Sequence, residues 1–327
     1  MKKKILLITT PLNGYEIELI NALKRKRIDV DFFSEGSKID KKELSLFQRI
    51  FRGLNKNSFY IKNIEKEIYK KFISKLEGDY SYIFDFGGKA KVEALKILKE
   101  KYKCPFIIYM WDDLKYAKTI WETMDYFDER YIFNTEETEK YRFKYRPNFY
   151  VNEYLYNNEE KIIDIFYKGN LRDKQRTYIL EKIEEKLKSY KLEISLYAKG
   201  SYIKNRKRVH SKEYFQKRCD SKFIYLNDLA KLYKKSKVLL DIAYKNQSGL
   251  GLRPLEAIAS NCKLITTNEN IKKYEFYNEN NIFYLKEDLS NINELEEFMN
   301  KEFLIYSDEV KYKYSIDGFV DDIFGEK

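Results

Sequence analysis

One local grammar recurs along this chain of 327 residues. A short run of β-branched and other apolar residues enters a loop, and the loop opens a helix with one apolar face. That order marks α/β domains with parallel sheets. Lys4-Ile-Leu-Leu-Ile-Thr9 predicts a first strand, residues 15–26 an amphipathic helix and residues 29–33 a second strand. Strands over 82–86, 105–109 and 131–133, with a helix over 91–101, complete one doubly wound half. Residues 146–152 carry a proline and no periodicity, which reads as a connection. The grammar then restarts. Strands are expected over 163–167, 192–197, 222–226, 238–242 and 263–266, with helices over 176–189, 229–235 and 254–260. Residues 292–303 and 317–324 read as closing helices.

Composition excludes several other classes. Hydrophobic residues make up 43%, with 30 Tyr and 22 Phe, so this is no disordered chain despite its 35% charged residues. Its length suits about two domains. The apolar run from Ile5 to Ile8 is too short for a signal peptide, and no stretch approaches the ~18 apolar residues of a membrane span. Cys104, Cys219 and Cys262 are widely spaced and His210 is the only histidine. Neither a disulfide framework nor a zinc site has enough ligands, so the expectation is a reduced, cytoplasmic protein holding no metal. The net charge of +11 is concentrated at one end: residues 1–75 carry 18 Lys or Arg against 9 Asp or Glu.

The most informative stretch is Gln247-Ser-Gly-Leu-Gly-Leu-Arg-Pro-Leu-Glu-Ala-Ile258. Pro254 suits the first turn of a helix, where a missing N–H costs nothing, so residues 249–253 form the loop into that helix. Unpaired backbone N–H groups and the helix dipole make an anion site there, fit for a pyrophosphate. Gly249 and Gly251 would admit the anion close to the backbone, Arg253 adds a forked charge, and Glu256 can accept from two ribose hydroxyls. A plain glycine loop before an ordinary helix fits the same spacing.

Residues 223–242, then Ser248-Gly-Leu-Gly-Leu-Arg-Pro-Leu-Glu-Ala-Ile-Ala259 and Cys262-Lys-Leu-Ile-Thr-Thr-Asn268, resemble the donor-binding half of GT-B glycosyltransferases. QSGLGLRPLEA with ITTNENIKKYEFYNENNIFYL is more narrowly similar to bacterial enzymes that build lipopolysaccharide core or capsular polysaccharide. The specific match spans 160–287; the N-terminal half agrees in pattern and in Tyr109-Met-Trp-Asp-Asp113. The resemblance implies two Rossmann-like domains facing across a cleft. Residues 1–150 would bind the acceptor and 151–303 the nucleotide-sugar, with 304–327 returning to the N-terminal domain. It places Glu256 on ribose, Ser248, Gly249, Leu250, Gly251, Leu252 and Arg253 around the diphosphate, and Leu226 and Asn227 beside the base. The loop of Gly169 and Asn170, with Arg172 and Arg176 after it, would face the donor phosphates, and an arginine there would neutralise the leaving diphosphate. A solvated basic helix start is the plainer reading of Arg172, Lys174 and Arg176. Retaining members commonly carry a glutamate eight positions before the ribose ligand; Ser248 stands there, so retention does not carry over.

Two carboxylates without a placed phosphate are a weak metal signal, so metal-independent transfer is expected. Inverting transfer needs a base near the acceptor hydroxyl. Asp112, at the carboxyl end of a strand, is the first candidate, Asp113 the second and Asp85 a distant third; capping the helix near Leu114 is the ordinary role for Asp112. Asn13 and Gly14, beyond strand one, line the acceptor cleft or form a simple turn. Leu44, Phe47, Ile50 and Leu54 recur at helical spacing beside Lys41, Lys42, Arg49 and Arg52. Such a helix packs on a core or lies on an anionic inner membrane leaflet, as suits a lipid-linked glycan acceptor. Lys204, Arg206, Lys207 and Arg208, with Lys212, Lys217 and Arg218, read as a solvated mobile loop or, more sharply, as a site for an acceptor phosphate. The alternative class is a basic nucleic-acid-binding protein, although no RNP-like, zinc-finger or helix-turn-helix signature supports it. A dinucleotide oxidoreductase lacks its GxGxxG after strand one.

Overall fold

The computed structural model describes residues 3–34, 59–117, 119–244 and 247–325. The chain divides into two compact units, Met1–Pro147 and Asn148–Lys327, each around a six-stranded parallel sheet. In the first, β1 (Lys4–Thr9), β2 (Asp29–Ser34), β3 (Tyr82–Phe86), β4 (Phe106–Met110), β5 (Glu129–Ile132) and β6 (Lys144–Tyr145) lie in the order β2-β1-β3-β4-β5-β6. Ile5, Leu6, Leu7 and Ile8 are all fully buried. A strand covered on both faces gains nothing from alternation, hence the continuous apolar run. The Tyr15–Arg25 helix buries Tyr15, Leu19, Ala22 and Leu23, a 3.6-residue stripe.

The second sheet joins β7 (Ile163–Asn170), β8 (Leu192–Tyr197), β9 (Cys219–Asp220), β10 (Ser236–Asp241), β11 (Lys263–Thr266) and β12 (Ile282–Tyr284) in the order β12-β11-β10-β7-β8-β9. Ile165, Tyr167, Leu196, Leu240 and Ile265 form its core with Leu180 and Ile183 of the Lys174–Lys186 helix.

Two expectations need correction. Residues 222–226 are not a strand. The Asp220 carboxylate accepts from the Lys222 N–H at 2.7 Å, a local turn that ends β9. The Leu226–Lys234 helix then begins at a buried Leu226. β7 runs three residues further than its apolar run, through Gly169 and Asn170, which pair in register with Leu196 and Tyr197. Residues 304–325 are grouped with the second unit. There Tyr150 and Ile316 exchange backbone bonds with Tyr314 and Tyr150, and Phe319 packs 4.4 Å from the Phe149 ring.

Candidate functional site

In the second sheet the chain proceeds from β7 through β8 and β9 on one side, and from β10 through β11 and β12 on the other. Strand order therefore reverses between the neighbours β7 and β10. Ligands of open parallel sheets bind beyond the carboxyl ends of strands at such a switch point. Arg172 and Arg176 follow β7; Tyr244 and residues 247–253 follow β10. Most of the donor residues predicted from sequence are thus brought to one edge.

The Leu252–Ala259 helix starts two residues before Pro254, with Gly251 as its N-cap at φ −65° and ψ −173°. No side chain caps it. The backbone N–H groups of Gly251, Leu252 and Arg253 have no acceptor among the described residues, and Pro254 has no N–H to leave unpaired. Unpaired N–H groups at a helix front attract an anion. The preceding loop is firmly held. Asn268 Nδ2 and Gln247 Nε2 donate to the Gly249 carbonyl at 3.1 and 3.0 Å, and Asn148 Nδ2 donates to the Leu250 carbonyl at 2.9 Å. Those carbonyls are occupied by protein donors, so the amides are the groups left to bind. Among the described residues a Cβ at Gly251 would meet only Gln247 Nε2, at 3.7 Å, and the backbone there suits any residue. Neither conformation nor packing demands this glycine.

Arg253 is braced more tightly than the sequence suggests. Its Nε donates to the Tyr233 hydroxyl at 3.0 Å and its Nη2 to the Lys168 carbonyl at 2.6 Å; Nη1 lies 3.8 Å from Asp241. The guanidinium thereby ties the helix front to β7 while placing its charge at that helix end. Burial, opposed by the neighbouring Arg253, pushes the Tyr233 phenol up. Glu256 is 5% exposed, so the carboxylate expected on ribose is almost entirely covered. Ser248 is half-buried and both Gly249 and Leu250 are buried.

Across the switch point, the Lys174–Lys186 helix is capped by its own Asp173, which accepts from the Arg176 N–H at 2.8 Å. Arg176 is buried. Its Nη2 donates to the Ile242 carbonyl at 2.7 Å, while its Nε finds no partner among the described residues. The exposed Arg172 lies over the Tyr244 ring at 4.0 Å and Arg176 over the same ring at 5.3 Å. Two guanidiniums against one ring concentrate positive charge at the edge that also carries the unpaired amides. Gly169 answers to packing instead: a Cβ there would stand 2.6 Å from the Tyr167 hydroxyl. Asn170 is exposed at the end of β7.

Leu226 is buried and Asn227 exposed in the first turn of their helix. Beside them stand residues that sequence reading missed: Phe223 is 50% exposed and Tyr225 67%, their rings 5.2 Å apart, with Tyr197 5.7 Å from Phe223. Asp241 and Asn268 were also missed. Asp241 accepts from the Thr266 hydroxyl at 2.9 Å, linking β10 to β11, and signals its role only once those strands are paired.

In the first sheet the order reverses between β1 and β3. Beyond β1, Asn13 and Gly14 adopt φ of 58° and 99°. Glu16 accepts from the N–H groups of Leu12 and Gly14 at 2.8 and 3.2 Å, so the protein's own carboxylate occupies this helix front. The Asn13 Oδ1 is buried with no donor among the described residues. Of the carboxylate candidates, Asp85 is fully buried and accepts from the N–H groups of Lys89 and Ala90, both at 2.9 Å; burial pushes its pKa up to about 6. Asp113 is buried between Asn134 Nδ2 at 2.9 Å and Lys115 at 3.0 Å. Asp112 is exposed and, among the described residues, accepts only from the Trp111 indole N–H at 3.1 Å. Asp113, not Asp112, directly precedes the short Leu114–Tyr116 turn, so capping does not occupy Asp112. Residues 41–54 lie outside the described residues.

Among the described residues no cluster of three His, Cys, Asp or Glu side chains converges as metal ligands. No helix among them is long and apolar enough to cross a membrane.

No protein-family model and no curated protein sequence matches the chain. Solved structures do. Alr3699/HepE from Anabaena, in complex with UDP and glucose, superposes with a TM-score of 0.62 at 11% identity over 98% of each chain. The UDP-forming α,α-trehalose-phosphate synthase from Burkholderia xenovorans, in complex with glucose-6-phosphate, gives 0.61 at 9% identity over 98% of each chain. A glycosyltransferase from Rickettsia africae gives 0.57 at 13% identity over the full length of both. The likeness spans both units and establishes the fold: α/β, with the paired Rossmann-like sheets of the GT-B class.

Proposed function

We propose that this chain is a glycosyltransferase that moves a sugar from a nucleotide-sugar to a growing bacterial surface glycan, such as lipopolysaccharide core or capsule. The observation that carries the reading is the uncapped helix front at Gly251, Leu252 and Arg253, set at the switch point of the second sheet. It is supported by likeness along the whole chain to proteins solved with UDP and glucose or with glucose-6-phosphate. The donor diphosphate accepts from those amides. Arg172 and Arg176 stabilise the charge that grows on the departing diphosphate, doing the work of a divalent cation. Asp112 takes the proton of the acceptor hydroxyl, and the nucleobase lies near Asn227 against Phe223 and Tyr225. The acceptor is a glycan, lipid-linked at the inner leaflet, and the protein works in the cytoplasm with peripheral membrane contact.

A thermal-shift series over UDP, GDP, dTDP and CMP and their sugars tests the donor class. A true ligand at 100 times its Kd adds about 2.7 kcal/mol of stability. No shift with any nucleotide, at concentrations up to millimolar, would refute the reading.

A further inference from the structure

The segment between β8 and β9 divides its side chains between two faces. Inward, Asn205 and Val209 are buried, Asn205 Nδ2 donating to the carbonyls of Lys199 and Ser201 at 3.0 and 3.1 Å. Tyr202 packs on Phe215 at 5.8 Å. His210 is pinned to the Lys174–Lys186 helix by Thr177 at 2.8 Å and Glu181 at 2.9 Å. Outward, Lys199, Lys204, Arg206, Lys207, Arg208 and Lys212 are all exposed, and none has an ion-pair partner among the described residues. Ile203, 72% exposed, stands in the middle of this run. A single exposed apolar side chain is ordinary on a protein surface; what sets Ile203 apart is its place amid these exposed cations on an anchored segment.

We infer that this face of the second unit is a docking surface for an anionic phospholipid bilayer, with Ile203 entering the acyl boundary and the surrounding cations resting on headgroup phosphates. Charge complementarity selects an anionic partner. The apolar tip selects a bilayer over a nucleic acid, because single strands are gripped by stacking on free aromatic rings. The outward residues 203, 204 and 206–208 include no aromatic ring, and Tyr202 packs inward on Phe215. The inference gives the peripheral membrane contact of the proposed function a place on the chain; it rests on that contact and not on the transfer reaction, so vesicle binding and nucleotide binding can fail separately.

Co-sedimentation of the full chain with vesicles tests it, using phosphatidylcholine alone and phosphatidylcholine with phosphatidylglycerol. Wild type should partition onto the anionic vesicles only, less so as salt is raised. Replacing Lys204, Arg206, Lys207 and Arg208 together by Gln should lower that partition by about 600-fold, since each near-surface cation is worth roughly five-fold. Ile203→Ser should lower it about five-fold at unchanged charge. All these side chains point outward, so the melting temperature and any nucleotide-induced thermal shift should stay at wild-type values. The inference is overturned if wild type ignores anionic vesicles, if the four-Gln variant binds them as well as wild type, or if Ile203→Ser has no effect while poly(U) RNA competes the vesicles away.

Discussion

Gly251→Ala separates a ligand-binding glycine from a structural one. The N-cap sits at φ −65° and ψ −173°, where alanine is unstrained, and among the described residues the new methyl would meet only Gln247 Nε2 at 3.7 Å. Alanine is a poorer N-cap than glycine by about 0.5–1 kcal/mol, and it lowers unfolded-chain entropy by a comparable 0.4–1 kcal/mol. The two nearly cancel, so stability should stay within ~1 kcal/mol of wild type. Binding should not be spared. A methyl at the helix front displaces an anion from one or two amides, and hydrogen bonds to charged groups are worth about 1.5–3 kcal/mol each. Nucleotide-diphosphate affinity should therefore fall by roughly 10- to 100-fold or more, 1.4 kcal/mol being a factor of ten. Urea denaturation gives the first quantity and titration calorimetry the second. An affinity within two-fold of wild type, in a variant that folds normally, would refute the argument that this glycine keeps an anion site open.

Other variants probe the remaining assignments. Arg172→Ala removes an exposed cation and should leave the melting temperature unchanged while turnover falls about 100-fold. Equal turnover in a donor-saturated assay would take Arg172 out of the reaction. Asp112→Asn should lower kcat far more than it weakens donor binding, whereas Asp113→Asn should act mainly on stability by loosening Asn134 and Lys115; the opposite pattern would reverse the two roles. Glu184 offers a pH test. Its burial raises the pKa, but Arg218, Lys217 and Tyr214 outweigh that and hold it below the usual glutamate value. A depressed folded-state pKa contributes stability that is present above the unfolded-state value and fades as pH falls through the folded one. Glu184→Gln should thus destabilise by about 2–4 kcal/mol at pH 7, with the difference from wild type shrinking below about pH 4.5. Chemical denaturation across pH checks this; a gap that widens in acid would contradict it.

The sequence yields the parts governed by local chemistry. Continuous apolar runs at β1 and β11 mark strands buried on both faces, and both occupy the spans read from them, Lys4–Thr9 and Lys263–Thr266. Pro254 marks a helix start because its fixed φ and missing N–H suit the first turn, a local preference. Residues 222–226 mislead because Phe223 and Tyr225 alternate like a strand; the turn made by Asp220 and the burial of Leu226 decide otherwise. β12 is only three residues long, and its identity lies in its pairing with Leu264, Ile265 and Thr266. Arg253 could be read as a cation at a helix front. Its bracing by Lys168 and Tyr233 joins residues 85 and 20 positions away, which no local pattern shows.

A crystal soaked with the nucleotide-sugar that gives the greatest thermal shift examines the helix front itself. The predicted result is a donor diphosphate with its oxygens about 2.7–3.1 Å from the backbone nitrogens of Leu252 and Arg253. A nucleotide-sugar bound elsewhere on the protein, with those amides still unpaired, would contradict the proposed donor site.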